Sequence, residues 1–280
     1  MNRTADRYLV VGNPIAHSRS PQIQQAFAAQ FDDNMVYEKA LVETGEFARF
    51  VDAFAASGGC GLNVTLPFKL DAAHYVDEMD DLARAAGAVN TIKIEANGQR
   101  LGFNTDGIGL LNDLQIRHEL DLTGKTILLL GAGGASQGVL RPLLEAAPRR
   151  VVITNRTVVK AEALAASQTG DFPNVELLAC AFDALSEAPD VIINATSMGL
   201  GGDTPPIAKG LLRHAFCYDM SYGPSAKFQV WAQQHGAQHS VDGLGMLVEQ
   251  AAQSYFIWRG LRPQTDPVVE SLRTILHQSG

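Results

Sequence analysis

The stretch Thr126-Ile-Leu-Leu-Leu-Gly131-Ala132-Gly133-Gly134-Ala135-Ser136 carries the pattern best suited to holding a charged ligand. An apolar run enters a glycine turn, and the residues after it, Gln137–Ala146, follow a helical pattern. Gly131 permits the tight turn. Gly133 lets the backbone approach a pyrophosphate with no Cβ in the way, and the N–H groups opening the next helix favour an anion. The third position of the G-x-G-x-x-G pattern is Ser136, small enough to keep helix and strand close. A lone glycine turn also fits an ordinary strand-to-helix loop; the strand–turn–helix setting favours the dinucleotide reading. An NAD site offers Asp or Glu to the ribose 2′-OH about twenty residues further on. Here Val151–Thr154 runs instead into Asn155-Arg156-Thr157, with Lys160 one turn later and no carboxylate. The planar fork of Arg156 suits a 2′-phosphate and Thr157 adds a hydroxyl, so NADP(H) is expected over NAD(H).

Three stretches nearer the N-terminus are polar where a core would be apolar. Gly12-Asn13-Pro14-Ile15-Ala16-His17-Ser18-Arg19-Ser20-Pro21 places Ser20 before a proline, the pattern of an N-cap with Pro at the first helical position. The same two hydroxyls, Ser18 and Ser20, facing a helix start would also make a carboxylate pocket. In Asn63-Val64-Thr65-Leu66-Pro67-Phe68-Lys69, Thr65 and Lys69 fall at the C-terminal end of a strand and just beyond it. Open α/β sheets place ligands at such ends, although a single lysine is more often a surface group. The third stretch is Gly87-Ala88-Val89-Asn90-Thr91, followed by Gly102-Phe103-Asn104-Thr105-Asp106-Gly107. Asp106 there either caps a helix beginning at Gly107 or serves a site.

The elements that must position these residues alternate along the chain. Strands are expected at Tyr8–Gly12, Met35–Ala40, Gly61–Val64, Ala88–Ile94 and Arg100–Asn104, with helices at Pro21–Phe31 and Gly45–Ala56. In the latter, Phe47, Phe50, Val51 and Phe54 form one apolar stripe. A second block holds Thr126–Leu130, Val151–Thr154, Val191–Asn194 and Cys217–Asp219. These runs are apolar throughout, as in a parallel sheet covered on both faces. Helices at Leu244–Arg259 and Val268–His277 close the chain.

With 280 residues, and roughly 100–200 per domain, the chain makes one large domain or two ordinary ones. Lys and Arg number 22 against 30 Asp and Glu, a net charge of −8. That excess gives no general attraction to nucleic acid or an anionic membrane, so any anion must be held by local cations. Cys60, Cys180 and Cys217 are scattered and odd in number, which fits a reducing cytosol better than a disulfide framework. No basic segment leading into a long apolar run opens the sequence, so no signal peptide is expected. The apolar runs are strand-sized and too short to span a bilayer. The seven histidines are scattered, with none at ligand spacing, so no metal is expected. A cytoplasmic protein acting on a small molecule is the expectation.

Taken together, these motifs resemble those of shikimate dehydrogenase. The resemblance rests on Gly12–Pro14 with Ser18–Pro21, Asn63–Lys69, Gly87–Thr91, Asn104–Gly107, Gly131–Ser136, Asn155–Thr157, Asn194-Ala195-Thr196-Ser197, Asp242-Gly243 and Met246–Ala252, in family order across nearly the whole chain. It implies reduction of 3-dehydroshikimate to shikimate with NADPH, on the route through chorismate to the aromatic amino acids. By the same resemblance Lys69 and Asp106 are catalytic. Ser18, Ser20, Thr65, Asn90, Tyr222 and Gln250 hold the substrate beside them. Asp81, Gly131, Ala132, Gly133, Gly134, Ala135, Asn155, Arg156, Thr157, Lys160, Met220 and Gly243 hold NADP(H). The implied fold is α/β: a substrate domain of residues 1–105 with 243–280, a doubly wound Rossmann-type NADP domain of residues 106–242, and a cleft between them. The resemblance fits a monomer or a homodimer. Two alternatives stand beside it: a quinate/shikimate dehydrogenase of the same fold using NAD, and a non-catalytic NADP(H)-sensing module. The Asn155–Thr157 loop speaks against the first, and the joint presence of Lys69 and Asp106 against the second.

Overall fold

The computed structural model describes residues 5–185, 187–196 and 206–278. The chain divides into two compact units, Met1–Gly109 with Val248–Leu272, and Leu110–Leu247 with Arg273–Gly280.

The first unit is built on β1 (Asp6–Gly12), β2 (Met35–Leu41), β3 (Gly59–Val64), β4 (Glu78–Met79), β5 (Thr91–Ile94) and β6 (Arg100–Phe103). They form one sheet in the order β2-β1-β3-β5-β6-β4. β5 runs antiparallel to both its neighbours; the remaining pairs are parallel. Side chains alternate across β1, and both faces are covered. Leu9 and Val11 join Val51, Phe54, Leu62 and Phe68 in one cluster, whereas Tyr8 and Val10 pack with Tyr37 and Trp258 in the other.

Helices α1 (Ser20–Gln30), α2 (Phe47–Ala56), α3 (Lys69–Tyr75) and α4 (Asp81–Ala86) connect these strands. The expected stripe on α2 buries Phe47, Val51 and Phe54, but the helix starts at Phe47 because Gly45 turns the chain with φ +88°. At α4 the Asp80 carboxylate accepts the Ala83 N–H at 2.7 Å, and Gly87 ends the helix in the left-handed conformation. Asp80→Ala is expected to lower stability by about 1 kcal/mol, the ordinary worth of an N-cap, read from denaturant unfolding. An unchanged midpoint would show that the cap contributes nothing.

The second unit contains β7 (Thr126–Leu130), β8 (Arg150–Thr154), β9 (Glu176–Cys180), β10 (Val191–Asn194), β11 (Phe216–Asp219) and β12 (His239–Asp242). All run parallel, in the order β12-β11-β10-β7-β8-β9. This is the doubly wound dinucleotide-binding arrangement, and its order reverses between β7 and β10, where such sheets open a crevice at the strands' C-terminal ends. Ile127, Leu129, Ile153 and Ile193 fill one face, and Leu128, Leu130, Ile192 and Cys217 the other. Both faces are buried, which is why these strands read as unbroken apolar runs. Helices α5 (Asp106–Asn112), α6 (Gly134–Glu145), α7 (Val158–Ala166), α8 (Lys227–Gln234), α9 (Leu244–Arg259) and α10 (Asp266–Gln278) complete the order. α5 continues into a π-helical turn, Asp113–Arg117. Among the described residues no helix is long and apolar enough to cross a membrane.

Three local expectations are corrected. The strand expected at Ala88–Ile94 begins only at Thr91, because side chains intervene in the ladder: Asn104 takes the Ala88 carbonyl at 3.0 Å. Ser20 is the first residue of α1 and not its cap; the Ser18 hydroxyl instead accepts the Ser20 N–H at 3.3 Å. Asp106 opens α5 itself, and Asn104 Oδ1 accepts its N–H at 3.1 Å, leaving the Asp106 carboxylate for other partners.

Candidate active site

In the first unit the C-terminal ends of β1 and β3 meet. Thr65 N–H donates to the Val11 carbonyl at 2.9 Å, and Asn13 N–H to the Leu66 carbonyl at 3.0 Å. Gly12 makes this approach possible: a Cβ there would stand 2.5 Å from the Thr65 methyl. Beyond this junction Lys69 opens α3, and its carbonyl receives the Val89 N–H at 3.0 Å. That bond ties the Gly87–Thr91 loop to the lysine.

The Lys69 ammonium donates to Asp106 Oδ2 at 2.5 Å. The side chains are 25% and 12% exposed, so the pair is shielded but still open to a ligand. Asn90 Nδ2 donates to the other oxygen, Asp106 Oδ1, at 2.8 Å, and to Thr105 Oγ1 at 3.0 Å. Gln250, from α9, brings its Oε1 within 3.4 Å of the Thr105 hydroxyl. The first unit thus gathers Lys69, Asp106, Asn90 and Gln250. Ser18 and Ser20 lie together, their hydroxyls 3.2 Å apart. An ammonium held by a carboxylate can pass a proton to and from a nearby oxygen, and paired hydroxyls can receive a carboxylate without adding full charge. Asp81 sits apart from this group on the first turn of α4, 86% exposed and paired with Arg84.

Around these residues lies a buried polar set to which the sequence reading gives no role, although Asn63, Thr91 and Thr105 fall within its motifs: Tyr37, Asn63, Thr91, Thr105 and Ser254. A polar side chain on a covered strand position, such as Asn63 in β3 or Thr91 in β5, is the signal that points to it.

In the second unit, Gly131 turns with φ +106°, and a Cβ on it would crowd Thr196 and Ala195 at 3.1–3.2 Å. Ser136, fully buried, donates its hydroxyl to the Gly131 carbonyl at 2.9 Å and closes the turn. Added Cβ atoms on Gly133 and Gly134 would meet nothing within 4 Å. The N-terminus of α6 has no side-chain cap and no acidic residue in its first turn, so its N–H groups are open to an anion. After β8, Asn155 bends the loop by donating to the Thr157 carbonyl at 2.9 Å. Arg156 and Lys160 are exposed, and neither makes an ion pair among the described residues. A glycine cradle, an uncapped helix start and two uncommitted cations fit a phosphorylated dinucleotide. At the ends of β11 and β12, a Cβ on Gly243 would stand 2.5 Å from the Met220 carbonyl, so these two residues are packed backbone to backbone. Tyr222 follows in the same segment, where Gly223 N–H donates to Asp242 Oδ2 at 3.1 Å. Of the Asn194–Ser197 motif, Asn194 accepts at Oδ1 from the Thr196 hydroxyl at 2.6 Å. Ser197 lies outside the described residues.

Three family models match the chain: the shikimate dehydrogenase substrate binding domain over residues 10–92, shikimate/quinate 5-dehydrogenase over 114–202, and the shikimate 5′-dehydrogenase C-terminal domain over 243–273. A protein of Halorhodospira halophila named shikimate dehydrogenase (NADP(+)) is 52% identical over 272 residues, 96% of this chain and 98% of its own. The crystal structure of an Ael1 enzyme from Pseudomonas putida superposes with a TM-score of 0.90 at 38% identity, covering 96% of this chain and 98% of that one. The shikimate 5-dehydrogenase of Thermus thermophilus, solved with NADP(H) and shikimate, gives a TM-score of 0.83 at 28% identity, covering 96% and 99%. By its motifs, its fold and these likenesses, the chain belongs to the shikimate dehydrogenase family.

Proposed function

We propose that this protein is an NADP-dependent shikimate dehydrogenase, reducing 3-dehydroshikimate to shikimate reversibly in aromatic amino acid biosynthesis. The observation that carries the reading is the Lys69–Asp106 pair, locked at 2.5 Å and held from its other side by Asn90. A module that only sensed NADP(H) has no use for such a pair. The unit of Met1–Gly109 with Val248–Leu272, which holds Asp106, serves as the substrate part, and the unit of Leu110–Leu247 with Arg273–Gly280 as the cofactor part, of a cytoplasmic enzyme.

NADPH, when bound, supplies the hydride. Gly131, Ala132, Gly133, Gly134 and Ala135 would cradle its pyrophosphate. Asn155, Arg156, Thr157 and Lys160 would take the 2′-phosphate end, with Asp81, Met220 and Gly243 making further contacts. Lys69 gives its proton to the ketone oxygen as that oxygen gains charge, and takes it back in the reverse direction. Asp106 aims the ammonium and accepts from a ring hydroxyl. Thr65, Asn90, Tyr222 and Gln250 orient the remaining polar groups of the ring, while Ser18 and Ser20 donate to the carboxylate. An assay of shikimate with NADP⁺ and with NAD⁺ tests the reading. Oxidation with NADP⁺ supports it, preference for NAD⁺ favours the quinate/shikimate alternative, and NADP⁺ binding without turnover favours the sensor.

The serine assignment has its own test. Ser18→Ala should weaken shikimate binding by about 1.5–3 kcal/mol, the worth of a hydrogen bond to a charged group. The same variant should bind an analogue lacking the carboxylate as well as the parent does. Equal losses with both ligands would place Ser18 away from the carboxylate.

A further inference from the structure

The buried polar set behind the Lys69–Asp106 pair has a direction, and that direction follows from elementary donor and acceptor rules. An ionised carboxylate only accepts, so Asn90 must turn its Nδ2 toward Asp106. Its Oδ1 then faces the other way, where it accepts the Thr105 N–H at 3.0 Å. The Thr91 hydroxyl lies 2.9 Å from that same Oδ1, so Thr91 must donate there. With its proton committed, Thr91 Oγ1 is left to accept, and Asn63 Nδ2 donates to it at 3.0 Å. Asn63 therefore turns Oδ1 away, toward the Tyr37 hydroxyl, which donates at 2.6 Å. Ser254 packs against the same chain: it accepts from Asn63 Nδ2 at 3.0 Å, and its hydroxyl lies 2.8 Å from Thr91 Oγ1 and 3.0 Å from the Gln250 carbonyl. From the ionised Asp106 back to Tyr37, the orientations of Asn90, Thr91, Asn63 and Tyr37 each follow from the one before.

We propose that Tyr37 and Thr91 are positioning residues: through Asn63 and Asn90 they form a one-way hydrogen-bond chain that fixes the Asp106 carboxylate for its work on Lys69. The proposal rests on the catalytic reading of that pair and extends it to residues that touch no reacting atom. Two observations support the chain as a unit. Tyr37, Asn63, Asn90 and Thr91 are all buried, with Thr91 fully enclosed, so water cannot substitute for a lost partner. Burial also pushes the Tyr37 phenol well above its ordinary range, keeping it a permanent donor, while the Ser20 hydroxyl acts in the opposite sense.

The chain predicts a pattern that bulk packing would not produce. Thr91→Val keeps shape and removes the hydroxyl; it should lower kcat roughly tenfold, the scale of one lost hydrogen bond in an ordered network. KM for shikimate should stay within about twofold and NADP⁺ binding should be unchanged, because no ligand contact is lost. Thr91→Ser restores the hydroxyl and should restore kcat. Tyr37→Phe should behave like Thr91→Val, and the double variant should be no slower than the worse single one, since both cut the same chain. A Thr91→Val enzyme with parental kcat, a Thr91→Ser enzyme as impaired as the valine variant, or losses that multiply in the double variant would each overturn the proposal. The same variants are read by urea unfolding, where Tyr37→Phe and Thr91→Val should again be non-additive. A parent enzyme inactive on shikimate would refute the assigned reaction but not the chain, and additive unfolding energies would refute the chain itself.

Discussion

Lys69→Ala is expected to lower kcat for shikimate oxidation by ~10²–10⁴, the range supplied by a positioned general acid–base. Lys69 Nζ is the cation on Asp106 Oδ2, and a methyl group in its place can neither donate nor accept a proton. NADP⁺ binding should persist, because the glycine turn and Arg156 belong to the other unit. Two further effects separate chemistry from damage. Removing the ammonium leaves the half-shielded Asp106 with Asn90 but no cation, which should cost about 1–3 kcal/mol of stability. Asp106→Asn paired with Lys69→Ala should recover part of that stability without recovering kcat. A Lys69→Ala enzyme that turns over at the parental rate would remove Lys69 from the acid–base role. One that fails to bind NADP⁺ would show that the substitution had disturbed more than this site.

Where function is written in contiguous residues, the sequence can be read directly. The Gly131–Ser136 turn, the Asn155–Thr157 loop and the apolar strands β7, β8, β10 and β11 depend on local geometry, and a glycine or a proline states its own constraint. Other features depend on partners distant in the chain. Lys69 and Asp106 are 37 positions apart, and nothing in their spacing joins them; only the resemblance does. The edge strand β9 alternates partly exposed residues, Glu176 to Cys180, and so lacks the apolar run that marks its neighbours. β12, with His239, Ser240 and Asp242, is hidden by the same polarity. Ala88–Asn90 resembles a strand because its side chains are small and mostly apolar, yet Asn104 Nδ2 takes the Ala88 carbonyl, and the Ala88 and Val89 N–H groups go to the Ala83 and Lys69 carbonyls. The choice between Ser18 and Ser20 as the group facing the α1 start turns on one backbone N–H, a detail no residue pattern contains. The buried chain from Tyr37 to Asn90 is least legible, since each link is an ordinary polar residue whose partner lies on another strand or loop.

Arg156→Ala is expected to raise KM for NADP⁺ at least tenfold while changing NAD⁺ use little. The reasoning starts from net charge: at −8 the molecule as a whole repels a phosphorylated ligand, so affinity for one extra phosphate must come from a local cation. Arg156 stands where an NAD site would carry a carboxylate, at the exit of β8, exposed and without an ion-pair partner among the described residues. Its guanidinium can meet two phosphate oxygens at once, and each charge-assisted bond is worth about 1.5–3 kcal/mol, so losing even one accounts for a tenfold change. Lys160 retains some attraction, which limits the loss. Arg156→Lys should fall between parent and alanine variant, because it keeps the charge but not the fork. Added salt should weaken NADP⁺ binding more steeply in the parent than in Arg156→Ala, since screening acts on the interaction the variant lacks. NAD⁺, without the 2′-phosphate, is the internal control. If Arg156→Ala loses both cofactors equally, the arginine supports the fold of the loop and the preference for NADP must arise elsewhere.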